Sequence, residues 1–260
     1  MTTNGLVFYE KSHRYKLDGA WVPGVTTLIG KGLPKPALMY WSARTVAEWV
    51  ADHPGLADQM AEAGGRQPFV SFLKDVPWQK RDDAAVKGTD VHDLAERLVN
   101  GDEVEVPEHL TGYVQACVDF LDEWQFQPIV TERPCASRKW RHAGKFDGIG
   151  TIADGRTVIL DWKTSASGIY GETALQLAAY AHSEFYVDED GAEHPMPKVD
   201  AGLGVWLTPN GYEVYDLNIS ADTYKAFLHV QYVANTADRI KGWKSDALTA
   251  PTTEQTGAAA

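Results

Sequence analysis

Two β-type runs, "AGKFDGIGTI" and "TVILDWKTS", are joined through "ADG" and Arg156 over residues 143–165, and this join constrains the fold more than any other feature. A three-residue loop, Ala153-Asp154-Gly155, with glycine in the left-handed position closes an antiparallel hairpin. Ile152 then pairs with Arg156, partner numbers sum to 308, and Asp147 stands opposite Asp161. Cross-strand partners share a face, and the period of two adds Lys163 to it. Two carboxylates and an ammonium group therefore converge on one patch. A two-residue loop would instead pair Asp147 with Trp162 and turn it to the opposite face; the three-residue loop is the reading adopted.

Charged residues in an apolar strand need partners. Two carboxylates held close on rigid strands repel each other, and removing them from water is unfavourable unless a cation neutralises them. Oxygen ligands with one imidazole suit Mg²⁺ or Mn²⁺ better than a thiolate-seeking metal. A lone Asp-x-Lys is weak evidence, since at average composition it recurs roughly once in a chain of this size. The motif gains weight from "GTDVHDLAERL", where His92 and Glu96 lie one turn apart at the edge of an apolar helix stripe. "LQLAAYA" places Gln176 and Tyr180 one turn apart on the helix after the Asp-x-Lys strand. Each pair taken singly is equally compatible with plain packing.

The rest of the chain reads as alternating elements. "HRYKLDGAWVPGVTTLI" is expected to form a hairpin turning at Asp18-Gly19, followed by a helix after Pro36. Residues 54–79 read as irregular or short helices. Helices are expected through 82–101, ending at Gly101, and through "HLTGYVQACVDFLDEW", "ETALQLAAYAHSEFYV" and "ADTYKAFLHVQYVANTADRIKGW". Strands are expected at "PIVTERPCAS", at the two runs above, and at "AGLGVWLT" and "YEVYDLNI". The fold class is α/β in the mixed sense, a central mixed sheet flanked by helices. The organisation is a hairpin and helical extension over 1–80, a core over 81–245, and a disordered tail over 246–260.

With 260 residues, 44% of them hydrophobic, the chain can bury a sizeable core. No stretch approaches the roughly 18 apolar residues that span a bilayer, and the start lacks secretory signal features, so a cytoplasmic protein without a membrane partner is expected. Cys117 and Cys135 are too few for a disulfide framework or a four-thiolate site and read as buried free thiols. The net charge of −12 argues against a nucleic-acid partner, but it is uneven. Residues 1–50 carry six Lys/Arg against three acids, and residues 181–260 carry five against twelve. A second basic run holds Arg138, Lys139, Arg141, His142 and Lys145.

Taken in order, "GTDVHDLAERL", "GKFDGIG", "ILDWKTS" and "QLAAYA" resemble the motif series of the PD-(D/E)xK nuclease superfamily, and most of all its RecB-like branch of phage and CRISPR-associated exonucleases. The resemblance covers residues 88–181 and implies a restriction-endonuclease-like core. It implies that His92, Asp147, Asp161 and the main-chain carbonyl of Trp162 bind Mg²⁺ or Mn²⁺, with Lys163 as the catalytic lysine. Glu96 and Glu132 fall where some members carry an accessory acid. Gln176 and Tyr180 would flank the site and contact the substrate strand. Thr164 and Ser165 could bind a phosphate oxygen, and Lys31, Lys35, Arg44 and the 138–145 cations, Arg138, Lys139, Arg141 and Lys145, would grip DNA. Several relatives hold an iron-sulfur cluster on four cysteines; with two cysteines, no cluster is expected here.

The implied function is a metal-dependent DNA exonuclease in phage recombination or DNA processing, acting in the host cytoplasm, with an annealing or other recombination protein as a possible partner and an oligomer possible. A structure- or site-specific endonuclease and a catalytically silent DNA-binding protein are the alternatives. A metal-independent acid–base hydrolase would leave Lys163 unexplained. Asp161→Ala is expected to abolish cleavage and leave the fold intact.

Overall fold

The computed structural model describes residues 5–249. It is mixed α/β, and β-strands open it. β1 (Leu6–Tyr9), β2 (Arg14–Leu17) and β3 (Ala20–Val22) form an antiparallel three-stranded sheet. The β2–β3 turn falls at Asp18-Gly19 as expected, with both residues at positive φ (49° and 79°), as a two-residue hairpin loop requires. α1 (Val25–Gly32) and α2 (Pro36–Asp52) follow, the latter with proline in its first turn, where a missing N–H is harmless.

The region read as irregular is helical. α3 (Leu56–Gly64) leads into α4 (Arg66–Val99), a helix of 34 residues with Pro77 inside it. The expected boundary at residue 80 therefore falls within a helix. Phe69, Val70, Phe72, Leu73 and Val76 give the first half helical spacing, and Trp49 of α2 packs edge-on against Phe72. Proline disfavours a helix interior locally, but packing against a neighbour outweighs it.

α5 (Thr111–Trp124) leads into the main sheet: β4 (Gln127–Ser137), β5 (His142–Thr151) and β6 (Thr157–Lys163), then α6 (Glu172–Ala181), β7 (Phe185–Val187), β8 (Glu193–Pro195), β9 (Ala201–Thr208), β10 (Gly211–Leu217) and α7 (Ala221–Arg239). Strand order is β10-β9-β6-β5-β4-β7-β8, antiparallel except for the parallel β6–β9 pair. The helix expected over 172–187 stops at Ala181. The Ser183 hydroxyl turns back to the Ala179 carbonyl, and the aromatic, β-branched "FYV" pairs with β4 instead (Cys135 with Tyr186). The tail expected at 246–260 shows no regular structure at 246–249 and lies outside the described residues from 250.

The sheet separates two cores, and β6 serves both by alternation. Val158, Leu160 and Trp162 pack with α4, α5 and Phe120 on one side. Ile159 packs with α1, α6 and α7 on the other. Cys117 and Cys135 are buried free thiols, one in each core. Among the described residues no helix is long and apolar enough to cross a membrane.

Candidate functional site

The β5–β6 hairpin adopts the three-residue loop. Gly155 has φ 86°, the Ile152 N–H donates to the Arg156 carbonyl at 3.1 Å, and Gly148 pairs with Leu160, the register that sets Asp147 opposite Asp161. The paired ladder ends at Gly148–Leu160, where a side chain takes over: the Trp162 N–H donates to Asp147 Oδ2 at 2.8 Å. The β4–β5 register likewise places Glu132 between Thr131, which pairs with Gly148, and Arg133, which pairs with Phe146. Glu132 thus stands across from Asp147, with a left-handed φ of 52°. That conformation disfavours a non-glycine residue, and such strain concentrates at functional sites.

Ligand-type atoms of His92, Glu132 and Asp147 lie within 4.8 Å of one another. His92, on the C-terminal half of α4, sets Nδ1 at 3.5 Å from Asp147 Oδ2. Burial holds its imidazole below the ordinary histidine value; the Asp161 carboxylate and a hydrogen bond with the Trp162 main chain pull the other way. Asp161 stands beside this group rather than in it. Its carboxylate is 1% exposed; Oδ1 accepts from Gln176 Nε2 at 2.7 Å, and Oδ2 lies in an ion pair with Lys163. Oδ2 is buried, and the Lys163 ammonium is its counter-charge. Burial draws Lys163 down, but Asp161 and Asp147 outweigh it and hold the ammonium above its ordinary value.

Burial pushes Asp147 up to about 7, with the negative charge of Asp161 adding to it. Burial also pushes Glu132 up to about 7, with Asp147 adding and the Lys145 ion pair, at 2.5 Å, opposing. Two carboxyls pushed up by burial, with neighbouring negative charge adding to it, beside an imidazole held below its ordinary value, are what a divalent cation would satisfy, and the oxygen-rich donor set fits Mg²⁺ or Mn²⁺. Glu96 is half-buried and adds its charge at Glu132 and Lys145.

A cavity of about 240 Å³ adjoins Lys163 and is lined by Thr26, Lys35, Ser165, Tyr170 and Gln176 among others. Lys35 pairs there with Glu172 at 2.7 Å. Thr26 and Tyr170 carry no signal in the sequence, because α1 and the loop before α6 reach the site only through tertiary packing. Thr164 faces α4, where a Cβ on Gly88 would come within 3.4 Å of its hydroxyl. A cavity of about 1030 Å³ elsewhere, lined by His182, Asp200 and Asp216, contains none of these residues.

Several expected contacts fall elsewhere. Tyr180 hydrogen-bonds Gln176 at 3.4 Å but is 3% exposed in the core, so it supports the site from beneath and is not placed to touch a substrate. Arg138 is held between Asp18 (3.0 Å) and Glu193 (2.7 Å), fastening the N-terminal hairpin to the main sheet. Lys139 lies over the Trp140 ring, and Arg141 reaches the Leu17 carbonyl. Arg141 stands six residues from Asp147 along β5, roughly 20 Å away; of the basic run only Lys145 reaches the site. Lys31 pairs with Asp238 and Arg44 with Glu48. Asp161 is also too deeply placed for Asp161→Ala to leave the fold untouched, since it would strand Lys163 and Gln176.

No protein-family model and no curated protein matches the chain. Among solved structures it is similar to one titled "Crystal structure of SSO0001", at 15% identity and a TM-score of 0.29, covering 51% of this chain and 62% of that one. The chain thus spans just under two thirds of that structure's length, and a likeness at this score carries no functional inference.

Proposed function

We propose that this chain is a metal-dependent deoxyribonuclease that hydrolyses phosphodiester bonds, acting as an exonuclease. The observation that carries the reading is the buried Asp161–Lys163 pair set beside the His92, Glu132 and Asp147 cluster. His92, Glu132 and Asp147 would hold Mg²⁺ or Mn²⁺, with Asp161 and the Trp162 carbonyl adjoining. When bound, the ion supplies Lewis-acid stabilisation of the charge that grows on the phosphate oxygens.

The protein's own groups do the positioning. Gln176 fixes the Asp161 carboxylate, which in turn holds Lys163 charged at the mouth of the small cavity. The Trp162 N–H fixes Asp147. A scissile phosphate seated against Lys163 would find Thr26 and Lys35 within the same cavity, Lys35 exchanging its Glu172 partner for it, while Ser165 donates to the Gly168 carbonyl and shapes the loop. Water attacks phosphorus in line and gives up a proton to solvent, the bond from phosphorus to the 3'-oxygen breaks and that oxygen takes up a proton from solvent, and Lys163 stabilises the charge that builds on the phosphate. The products are a 5'-phosphate and a 3'-hydroxyl.

The test is digestion of end-labelled linear duplex, linear single strand and closed circle in Mg²⁺, Mn²⁺ or EDTA. Loss of linear DNA alone, only with metal, is expected. Cutting of the circle would make the protein an endonuclease, and binding without cleavage under every condition would reduce it to a DNA-binding protein.

A further inference from the structure

α4 carries His92 into the site and, about four turns earlier, carries the exposed Trp78 against α2. Trp78 is 56% exposed and Met39 75% exposed, and both line a groove of about 1000 Å³ between α2 and α4 together with half-buried Trp41. Exposed apolar surface of this kind on a charged chain marks an interaction site. Among the described residues that line the groove, the charged ones are Lys74 and Arg81, and none is a carboxylate. The Arg81 guanidinium sits 4.4 Å from the Trp78 ring centroid. It also pairs with Asp82 at 2.7 Å, but both partners are more than half exposed, so the pair is weak and readily exchanged for another anion.

Trp78 and His92 share one helix face. Trp78, Arg81, Ala85, Gly88 and His92 are spaced by three, four, three and four residues, one continuous stripe. Of the acids of this stretch, Asp83 and Asp90 lie off that stripe, while Asp82 borders it, one turn from Trp78 and paired with Arg81. From Trp78 to His92 is fourteen steps along the helix, about 21 Å. At Gly88 the stripe lies against Thr164, next to Lys163, so α4 closes onto the end of β6 before it reaches His92.

We propose that this groove is a track for single-stranded DNA on the same helix that carries His92: bases stack on Trp78 and Trp41, and phosphates pass Lys74 and Arg81. The proposal rests on the nuclease reading and names the form of its substrate. Aromatic faces with interleaved cations suit an unpaired strand, whose bases are free to stack and whose phosphates can take the place of Asp82 at Arg81. A duplex hides its base faces and gains nothing from Trp78.

The test is fluorescence anisotropy of a labelled oligothymidylate and of a blunt hairpin duplex, in EDTA so that cleavage plays no part, with wild type, Trp78→Ala and Trp78→Phe. Trp78→Ala should weaken oligothymidylate binding about tenfold and leave the duplex unchanged, while Trp78→Phe keeps wild-type affinity within about threefold. No binding of oligothymidylate by wild type, equal binding by Trp78→Ala, or equal losses on both ligands would overturn the track. So would a concentration-dependent dimer that Trp78→Ala dissolves, which would make the groove a self-association face. If Trp78-dependent binding holds but no metal supports cleavage, the nuclease reading fails and the track stands. Cleavage with Trp78-independent binding gives the reverse.

Discussion

Asp161 is buried, takes one hydrogen bond from Gln176 and neutralises Lys163, so it holds the site in shape as well as charging it. Asp161→Ala should therefore lower cleavage at least about a hundredfold and also destabilise the protein. Removing one partner of a buried pair costs about 3–5 kcal/mol, and because the Lys163 side chain is 29% exposed a loss of about 1–2 kcal/mol is expected, a fall of a few degrees in Tm. Asp147 and Glu132 give a pH signature. Their carboxyls, raised to about 7 in the fold, bind protons more tightly folded than unfolded. Their stabilising contribution is full below about pH 4 and is lost as pH rises through about 7. His142, buried and pulled down to about 4, works in the opposite sense, its contribution being lost as pH falls below about 6.5. The clean observable is a difference: without metal, the Tm of Asp147→Asn should gain on wild type from about pH 4 to about 7 and level off above. A difference that stays flat across that range would mean Asp147 ionises as in water.

At the scale of elements, the β5–β6 hairpin was legible because its loop chemistry fixes its register. Gly155 at positive φ selects the three-residue loop, and the loop alone puts Asp147 across from Asp161. α4 was not legible at its first half, because Pro77 argues locally against a helix and the residues that favour one pay off only against α2. The end of α6 was hidden for a related reason: "SEFYV" continues an apolar run, and only β4 makes it a strand. Lys163, Asp161 and Asp147 were readable as a set from the hairpin register and the period of two, and His92 joined them only through the resemblance carried by the four motifs. The role of Glu132 in the cluster needed the β4–β5 register, and the diversion of Arg138 needed Asp18 and Glu193 from distant segments. Gly144 shows how closely elements meet beneath the site. A Cβ there would lie 2.1 Å from Tyr180 Cε1, whereas one on Gly171 meets nothing within 4 Å. Gly144→Ala should cost about 1–3 kcal/mol and tilt α6, which carries Gln176. Gly171→Ala should melt within a degree or two of wild type, and equal melting of the two variants would refute the tight α6–β5 contact.

For the whole molecule, the net charge of −12 opposes a polyanion, so binding must be local. Cations that could grip DNA are largely tied to carboxylates, as Lys31, Arg44 and Arg138 are, and Lys35, Lys163 and Arg81 are paired as well, so a phosphate must compete with a carboxylate partner where it binds. Such a surface binds weakly at high salt, and its specificity rests on the geometry of one hairpin and one helix rather than on an overall field. The account turns on whether the lysine at the end of β6 is chemical. The most direct measurement is the digestion rate of linear single-stranded DNA in Mg²⁺ by wild type and Lys163→Ala, with Mn²⁺ binding followed in parallel. The account predicts cleavage by wild type that EDTA stops, a loss of at least about a hundredfold in Lys163→Ala, and metal binding retained in the variant. Equal rates in the two proteins, or wild-type cleavage that persists in EDTA, would contradict it.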